Sequence, residues 1–382
     1  MALKVAQRGN IPPFLVMEVM RAAGERIATG GDVLHLEVGQ PSTGAPDGVI
    51  AAAKRALDSD VLGYTDAFGL PELRAAIARH YRDFYGLDVP AARIVVTTGA
   101  SGAFVLAFLA AFDPGDRVAL ALPGYPGYRH IARAFGIEPV ALEADATTRF
   151  QPGAKLLDSV AGEIDGLIVA SPSNPAGTML APDDLARLVK LCDTRGIRLV
   201  SDEIYHGIAF CREAATALAY GDDAIVINSF SKYFSMTGWR LGWMVVPETL
   251  LRAVESLAQN LFISPPTLSQ HAAIAAFDCY GELEANVARY ARSRELLLEE
   301  LPRAGFDSLA PADGAFYIYA DVSRLTNDSE DFCRRMLHDS GVAATPGIDF
   351  DPLRGRSFVR FSFAGSTEDM AEAARRLKIW RK

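Results

Sequence analysis

Residues 229–243 read Ser-Phe-Ser-Lys-Tyr-Phe-Ser-Met-Thr-Gly-Trp-Arg-Leu-Gly-Trp, with an apolar run on each side that predicts a buried strand. Lys232 therefore lies close to the end of a strand. A lysine that is partly desolvated there, with Arg240 nearby, has a lowered pKa and a usable amine nucleophile. Arg240 and the hydroxyl groups of Ser229 and Ser231 are donors that suit a phosphate group. The stretch predicts a reactive lysine beside an anion site.

A Schiff-base lysine next to a phosphate site suggests pyridoxal phosphate as a cofactor. Alone, Lys232 is also compatible with an ordinary surface lysine at a strand end. The whole pattern, Ser-x-Ser-Lys followed by Gly-Trp-Arg-Leu-Gly-Trp, resembles the cofactor-lysine signature of class I/II aminotransferases. This resemblance implies that Lys232 forms the Schiff base and that Ser229, Ser231 and Arg240 bind the cofactor.

The composition is that of an ordinary globular protein. The chain has 382 residues, of which half are hydrophobic and 22% are charged, and its net charge is -9. This length predicts a large core and two domains. The acidic balance argues against nucleic acid as a partner. No apolar run is long enough for a membrane helix and residues 1–10 hold no apolar leader, so the cytoplasm is the expected location.

The cysteines and histidines show no spacing typical of a metal site. The four cysteines are scattered without a Cys-x-x-Cys pair, and the six histidines include no His-Glu-x-x-His motif. Neither a disulfide framework nor a bound metal is expected, and reduced thiols are the simpler interpretation.

Strands and helices alternate through the first half of the chain. The predicted strands are 93–98, 118–122, 167–170 and 198–201, and the predicted helices are 101–112, 128–135 and 182–194. The strands are almost continuously apolar, as in a parallel sheet buried on both faces, which indicates an α/β fold. Beyond residue 246 the pattern is mainly helical, with strands at 314–319 and 357–363, and predicts a smaller α+β domain.

The resemblance supplies domain boundaries for this pattern. It implies fold type I, with a large cofactor-binding domain of mostly parallel sheet between helices at 47–280. It places a small C-terminal domain at 281–382. Residues 1–46 are then an N-terminal arm that packs on the small domain.

A glycine turn links a predicted strand to a predicted helix at Thr97-Thr98-Gly99-Ala100-Ser101. Backbone N–H groups at a helix N-terminus, with the Ser101 hydroxyl, form an anion site. A rival interpretation is the dinucleotide fingerprint of short-chain reductases, but Phe104 replaces its final glycine and the acidic residue expected about 20 positions later is missing. The resemblance assigns Gly99, Ala100 and Ser101 to the cofactor instead.

Three further motifs resemble family segments. The loop Pro-Gly-Tyr-Pro at 123–126 places Tyr125 where the family stacks an aromatic ring on the cofactor. The loop Ser-Pro-Ser-Asn-Pro-Ala-Gly at 171–177 places Asn174 where an asparagine contacts the ring hydroxyl. Both residues are then also near the substrate. Tyr64 begins a Tyr-x4-Gly-x3-Leu-Arg segment, whose tyrosine reaches the phosphate in the neighbouring subunit.

Polar residues after two other strands complete the expected site. A carboxylate at Asp202 can pair with the pyridine nitrogen and make the ring an electron sink, and Tyr205 can hydrogen-bond the ring oxygen O3′. Glu203, between them, is expected to be a solvated loop residue. Arg360 lies in an apolar strand and needs a partner, either a structural salt bridge or the substrate carboxylate that the resemblance implies. Gly39 lies in a turn that resembles the family's substrate loop.

These motifs predict an aminotransferase that moves an amino group from an α-amino acid to a 2-oxo acid in a ping-pong cycle. Lys232 is the expected general base, with Asp202 and Tyr205 as the other catalytic residues. A pyridoxal-phosphate-dependent C–S β-lyase, or another reaction on the same fold, stays open, and a non-catalytic effector domain is the least favoured class. Tyr64 implies a homodimer with two shared active sites.

One position bears on the substrate. Related bacterial aspartate aminotransferases carry a lysine in the glycine turn, which meets the distal carboxylate of the substrate, and here that residue is Ser101. Because an unpaired carboxylate in a closed site is costly, neutral or aromatic amino acids are expected to react at least as well as aspartate. Arg129 and Arg292 are the candidates for a compensating cation.

Overall fold

The computed structural model describes residues 3–381. Its helices are α1 Leu15–Ala28, α2 Asp47–Ser59, α3 Pro71–Tyr85, α4 Gly99–Ala111, α5 Pro126–Phe135, α6 Ala154–Asp158, α7 Pro182–Arg195, α8 Leu251–Leu261, α9 Thr267–Ile274, α10 Tyr280–Arg303, α11 Ser329–Ser340 and α12 Thr367–Trp380. Its strands are β1 Leu34–His35, β2 Ile94–Thr97, β3 Arg117–Leu122, β4 Glu138–Glu143, β5 Gly166–Ala170, β6 Arg198–Asp202, β7 Ile225–Ser229, β8 Gly242–Val245, β9 Ser308–Leu309, β10 Tyr317–Asp321, β11 Val342–Ala343, β12 Thr345–Pro346 and β13 Phe358–Ser362.

A central sheet has the strand order β2-β8-β7-β6-β5-β3-β4. The strands from β7 to β4 in this order are parallel to one another, whereas β8 is antiparallel to β7 and β2. The segment between β7 and β8 is short and contains only a single 3-10 turn, so it reverses the chain instead of making a helical crossover. The mostly parallel α/β sheet expected from the sequence is therefore confirmed.

Helices cover both faces of this sheet. Successive strand residues point to opposite faces, and Val226 belongs to one apolar cluster whereas Ile225 and Ile227 belong to another. Helices α3 and α7 pack on the face of Val226, and helices α4 and α8 pack on the opposite face. This double burial explains why the strand sequences are apolar without alternation.

The parallel strands end at one edge of the sheet. Ala170 at the end of β5 pairs in register with Asp202 at the end of β6, and Asp202 pairs with Ile227 of β7. The loops that follow these strands therefore emerge side by side. Ligand sites in open α/β sheets form at this carboxyl edge.

A second, antiparallel sheet has the order β12-β13-β10-β9. Helices α10, α11 and α12 accompany it, and α10 packs against α12. Near the N-terminus, β1 pairs with β11 and α1 lies against β11 and β12. Among residues 3–381, every helix is too short or too polar to cross a lipid bilayer.

Several strands differ from the sequence expectation, and the two-residue strands β9, β11 and β12 were not predicted. The pattern also misses β4, an edge strand that has glutamate at both ends and only Leu142 fully buried, so its apolar signal is weak. The predicted strand 314–319 begins only at Tyr317, because Ala315 adopts a left-handed backbone with φ +56°.

The central sheet depends on its buried side chains. Replacing Ile227, which is fully buried in β7, with alanine should lower the free energy of unfolding by about 2–5 kcal/mol, because a cavity remains. The matched control is Ile379→Ala in α12, where the side chain is 59% exposed and the change should stay within about 0.5 kcal/mol. Urea denaturation of both variants measures the difference. Similar losses of unfolding free energy in the two variants would contradict the prediction that the buried side chains stabilise the central sheet.

Candidate active site

A cavity of about 640 Å³ lies between the loops at the carboxyl edge of the central sheet and the turn after β1. Its charged lining residues, within the described chain, are Asp202, Lys232, Arg240 and Arg360. Its uncharged lining includes most other residues that the sequence singled out: Gly39, Ala100, Ser101, Tyr125, Asn174, Tyr205, Ser229 and Ser231. Motifs far apart in the sequence thus meet at one place.

Lys232 follows β7 and extends into this cavity. Its Nζ donates a hydrogen bond to the backbone oxygen of Gly39, at 2.6 Å. Burial lowers the pKa of Lys232 from 10.5 to about 8, and Arg360 acts in the same direction, whereas Asp202 opposes both. The amine is therefore partly neutral near physiological pH and available as a nucleophile or base.

Asp202 ends β6 and is buried. Its Oδ1 accepts from the backbone N–H of Ile204 at 3.1 Å, and its Oδ2 accepts from the Tyr128 hydroxyl. Burial raises the pKa of Asp202 to about 6, although both hydrogen bonds and Lys232 act against this rise. A cation placed beside this carboxylate would favour its charged form.

Tyr128 is a site residue that the sequence reasoning missed. It lies in the first turn of α5, three residues after Tyr125, and the two rings are 5.2 Å apart. A spacing of three residues places side chains on one helix face, so the position of Tyr128 relative to Tyr125 was an available signal. No signal in the sequence indicated that the Tyr128 hydroxyl would bond to Asp202.

Arg360 is buried in β13 and forms no salt bridge with any described residue. Its guanidinium donates to Asn174 Oδ1 at 2.8 Å, to Thr345 Oγ1 at 3.1 Å and to the backbone oxygen of Glu37. It also lies over the Tyr317 ring, 4.4 Å from the centroid. Its Nε has no partner among the described residues. The carboxylate of Asp349 acts on Arg360 without forming a salt bridge with it, so this buried positive charge has no carboxylate of the described chain in direct contact and suits an anionic ligand.

A second anion cradle lies where β7 and β8 approach α4. Gly99 has φ +74°, and a Cβ at this position would lie 2.5 Å from Arg240 Nη2, so glycine permits the close approach of the guanidinium. Arg240 itself has a left-handed backbone and donates to the Thr237 carbonyl at 3.1 Å. With Ser229 and Ser231 beside the N-terminus of α4, these donors form a site for a phosphate-sized anion.

Aromatic side chains form the remaining walls. The hydroxyl groups of Tyr205 and Tyr317 are hydrogen-bonded at 2.7 Å. Phe14 meets the Tyr125 ring edge to face, with centroids 5.9 Å apart. Helix α1 also contributes Met17 and Met20 to the lining. One side of the cavity is therefore apolar.

Several sequence-predicted residues lie elsewhere. Tyr64 is 83% exposed and does not line the cavity of its own chain. Gly99 is not among the residues that line the cavity, although it lies next to Ala100 and Arg240, which do. Neither Arg129 nor Arg292 lines the cavity; Arg129 donates to the Asp349 carbonyl instead, and Arg292 is exposed.

The expectation that Glu203 is a solvated loop residue is wrong. Glu203 is 1% exposed, because the backbone after β6 turns it into the protein and not toward solvent. Among residues 3–381, no three His, Cys, Asp or Glu side chains are grouped so that they could hold a metal ion.

Comparison with known proteins identifies this architecture. The family model for class I and II aminotransferases matches residues 31–377. The chain is 52% identical to the valine–pyruvate aminotransferase of Mycobacterium tuberculosis over 381 residues, which cover 99% of this chain and 98% of that protein. A crystal structure of an aminotransferase from M. tuberculosis, also 52% identical, superposes with a TM-score of 0.98 over 99% of both chains. Aspartate aminotransferase from Thermus thermophilus with maleate, 31% identical, gives a TM-score of 0.92 over 99% of this chain and 100% of that one. The family resemblance and the fold type I architecture expected from the sequence are confirmed.

The lowered pKa of Lys232 can be measured through its reactivity in the cofactor-free protein. Only the neutral amine attacks an aldehyde, so reductive alkylation of Lys232 by formaldehyde should reach half its maximal rate near pH 8. An ordinary lysine becomes half neutral only near pH 10.4. Mass spectrometry of the Lys232 peptide, with exposed Lys54 as the internal control, follows the rates. A half-maximal rate at Lys232 above about pH 10 would contradict the prediction.

Proposed function

The chain belongs to the class I and II aminotransferases, and from that premise we propose that Lys232, Asp202 and Arg360 carry its reaction with pyridoxal 5'-phosphate. As an aminotransferase it acts on amino acids and 2-oxo acids. One observation supports the residue assignment above all others: a buried lysine whose pKa is lowered by burial, a buried carboxylate, and a buried guanidinium that forms no salt bridge among the described residues line one cavity.

The residues of the cavity fit this cofactor. Arg240, Ser229, Ser231 and the N-terminus of α4 at Gly99 to Ser101 would hold the phosphate, since they form a compact set of anion donors. The remaining groups suit a pyridine ring: Tyr125 as a flat aromatic face, Asp202 for the ring nitrogen, and Tyr205 and Asn174 for the ring hydroxyl. Lys232 would hold the aldehyde carbon.

When bound, pyridoxal phosphate supplies an electron sink for the negative charge that develops at the α-carbon of the substrate. Arg360 binds the substrate carboxylate and so orients the bond between the α-carbon and its hydrogen. Lys232 Nζ removes this proton, since its pKa of about 8 leaves part of the amine neutral at pH 7. Asp202, oriented by Tyr128, keeps a negative charge beside the ring nitrogen. Catalysis rests mainly on this placement of charges.

The substrate we propose is an amino acid with a neutral, apolar side chain. Phe14, Met17 and Met20 give the cavity an apolar wall, and Ser101 supplies no positive charge. A second carboxylate on the substrate would be desolvated there without a partner from this chain, which is costly. A relative that is 52% identical is named a valine–pyruvate aminotransferase, in agreement with a small aliphatic donor and pyruvate as acceptor.

The working assembly we propose is a homodimer with two shared active sites. Four exposed apolar side chains form a surface near the start of α9: Val61, Tyr64, Leu261 and Ile263. The two segments that carry them are in contact, because Thr267 Oγ1 donates to the Gly63 carbonyl at 2.6 Å. An apolar surface of this kind is typical of an interface with a second copy. Tyr64 would then reach the phosphate site of the other subunit.

Two further expectations are retained as proposals. The first is a division into an arm at 1–46, a large domain at 47–280 and a small domain at 281–382, which the two separate sheets support. The second is a cytoplasmic location, which the four free thiols support, since disulfides are rare there.

The proposed substrate class can be tested by comparing donors. With pyruvate as acceptor, kcat/KM for valine, leucine, alanine and phenylalanine should equal or exceed that for aspartate and glutamate, because only the neutral side chains match the apolar wall. Lys232→Ala is the control and should show no turnover. An aspartate preference of about 100-fold, or about 2.7 kcal/mol in transition-state binding, would contradict the assignment. A β-lyase would differ by forming no stoichiometric pyridoxamine phosphate.

The shared site can be tested with mixed dimers. Tyr64→Phe and Lys232→Ala variants should each have low activity alone. A verified heterodimer of the two should regain activity, because one of its sites receives both intact residues and the other receives neither. Two Lys232→Ala subunits are the control. Heterodimers without recovered activity would show that Tyr64 does not act across an interface.

A further inference from the structure

Two buried ionisable residues after β6 have no part in the chemistry above: Glu203 and His206. Neither lines the cavity. Glu203 Oε1 accepts hydrogen bonds from Ser201 Oγ and from the backbone N–H of Ala217, both at 2.9 Å. Glu203 Oε2 is buried, has no hydrogen-bond partner among the described residues, and lies 3.6 Å from His206 Nδ1. A buried carboxyl oxygen without a hydrogen-bond partner is unusual in proteins, so the state of Oε2 needs an explanation.

The contacts of His206 define its tautomer. Its Nε2 lies 2.9 Å from the backbone oxygen of Ser171, which can only accept, so Nε2 carries a hydrogen. Its Nδ1 lies 2.8 Å from the Tyr85 hydroxyl, which donates to a neutral ring. Both ring nitrogens are satisfied without a positive charge. Burial lowers the pKa of His206 to about 4, in agreement with a neutral ring.

Glu203 has no cation to balance a negative charge. No lysine or arginine of the described chain forms a salt bridge with it. The titratable groups around it are another carboxylate, two phenols and an imidazole: Asp202 on β6, Tyr81 and Tyr85 on α3, and His206 on its own turn. Burial raises the pKa of Glu203 to about 7. A proton on Oε2 removes the cost of an unpaired buried charge.

We propose that His206, as a neutral imidazole, is a positioning residue that joins the Asn174 loop to the Asp202–Tyr205 turn from outside the cavity, and that Glu203, as a carboxylic acid protonated on its unpaired Oε2, is a positioning residue that anchors the same turn. This inference rests on the cofactor roles proposed above for Asn174, Asp202 and Tyr205. The His206 ring holds the carbonyl of Ser171, where the Asn174 loop begins, and its backbone N–H donates to the Glu203 carbonyl at 3.0 Å. His206 thereby links the Asn174 loop to the Asp202–Tyr205 turn, whereas the Glu203 side chain holds this turn against Ser201 of β6 and the backbone of Ala217.

The neutral state of Glu203 also affects Asp202. A negative charge on Glu203 would raise the pKa of Asp202 further, since the two carboxylates are neighbours. With a proton on Glu203, Asp202 is the carboxylate that faces the cavity with its charge intact. Because the pKa of Glu203 is raised above that of Asp202, Glu203 takes up a proton first as the pH falls, and Asp202 is the last of the two to lose its charge.

The positioning role of His206 can be tested with three variants of the holoenzyme. His206→Leu should raise the Kd for pyridoxal phosphate by about 10-fold and lower kcat by a similar factor with little change in KM. His206→Gln, whose amide can still donate to the Ser171 carbonyl, should restore most of the cofactor affinity and most of kcat. His80→Leu is the matched control, because His80 is equally buried but bonds to Tyr280, away from the cofactor loops. Equal losses of affinity in the two leucine variants, or no rescue by glutamine, would overturn the proposal.

The protonation of Glu203 can be tested with Glu203→Gln, since an amide has the shape of a protonated acid. Its cofactor Kd and kcat should stay within about twofold of the wild type at pH 6.5. Because the folded pKa of about 7 exceeds the ordinary 4.5, the wild type should lose thermal stability relative to this variant between about pH 4.5 and pH 7. The opposite trend, a wild type that gains relative stability as the pH rises through 4.5, would show that Glu203 is charged and overturn the proposal.

The tautomer can be observed directly in 15N-histidine-labelled protein. His206 should remain a neutral ring with its hydrogen on Nε2 between pH 6 and pH 8, and a charged ring or the other tautomer would overturn the proposal. Stability and tautomer do not depend on turnover. An inactive wild type would therefore contradict the proposed function and leave these two measurements as independent tests of Glu203 and His206.

Discussion

The charges in the cavity are unbalanced, and much of the site depends on this imbalance. Three cationic side chains, Lys232, Arg240 and Arg360, face one carboxylate, Asp202. Burial is the main cause of the lowered pKa of Lys232, and the two guanidinium groups that prepare the site for anions lower it further. A phosphate beside Arg240 and a carboxylate beside Arg360 would offset this positive charge. The positive charges that favour anionic ligands thus also contribute to the activation of the lysine, in addition to its burial.

The fold makes this arrangement possible by bringing distant segments to one edge. Asp202 is held at the end of a parallel strand, and Lys232 and Arg240 lie in the single connection between β7 and β8. Arg360 comes from the second sheet, where β13 pairs with β10. Its partners include the Glu37 carbonyl, more than 300 residues earlier in the chain. No single segment contains the site, although each strand end contributes a part.

The residues that could be predicted from the sequence are those whose signal is local. Lys232 and Arg240 share one short motif, and Asp202 and Asn174 follow apolar strands, so strand ends and motif spacing were sufficient to name them. Tyr128 could not be paired with Asp202, because that contact depends on how α5 is oriented over β6, across 74 residues. The burial of Glu203 depends likewise on the backbone turn after β6. Strand β4 was missed because its exposed edge position weakens the apolar pattern.

The apolar wall of the cavity comes from α1, which precedes the central sheet in the chain and carries none of the charged groups. Met17 and Met20 are both partly exposed, so their replacement disturbs little of the core. Methionine side chains also adapt their shape to what they contact. Substitutions at these two positions therefore change the apolar wall of the cavity while the charged groups stay in place, so the surface that would meet a substrate side chain can vary separately from the charged groups.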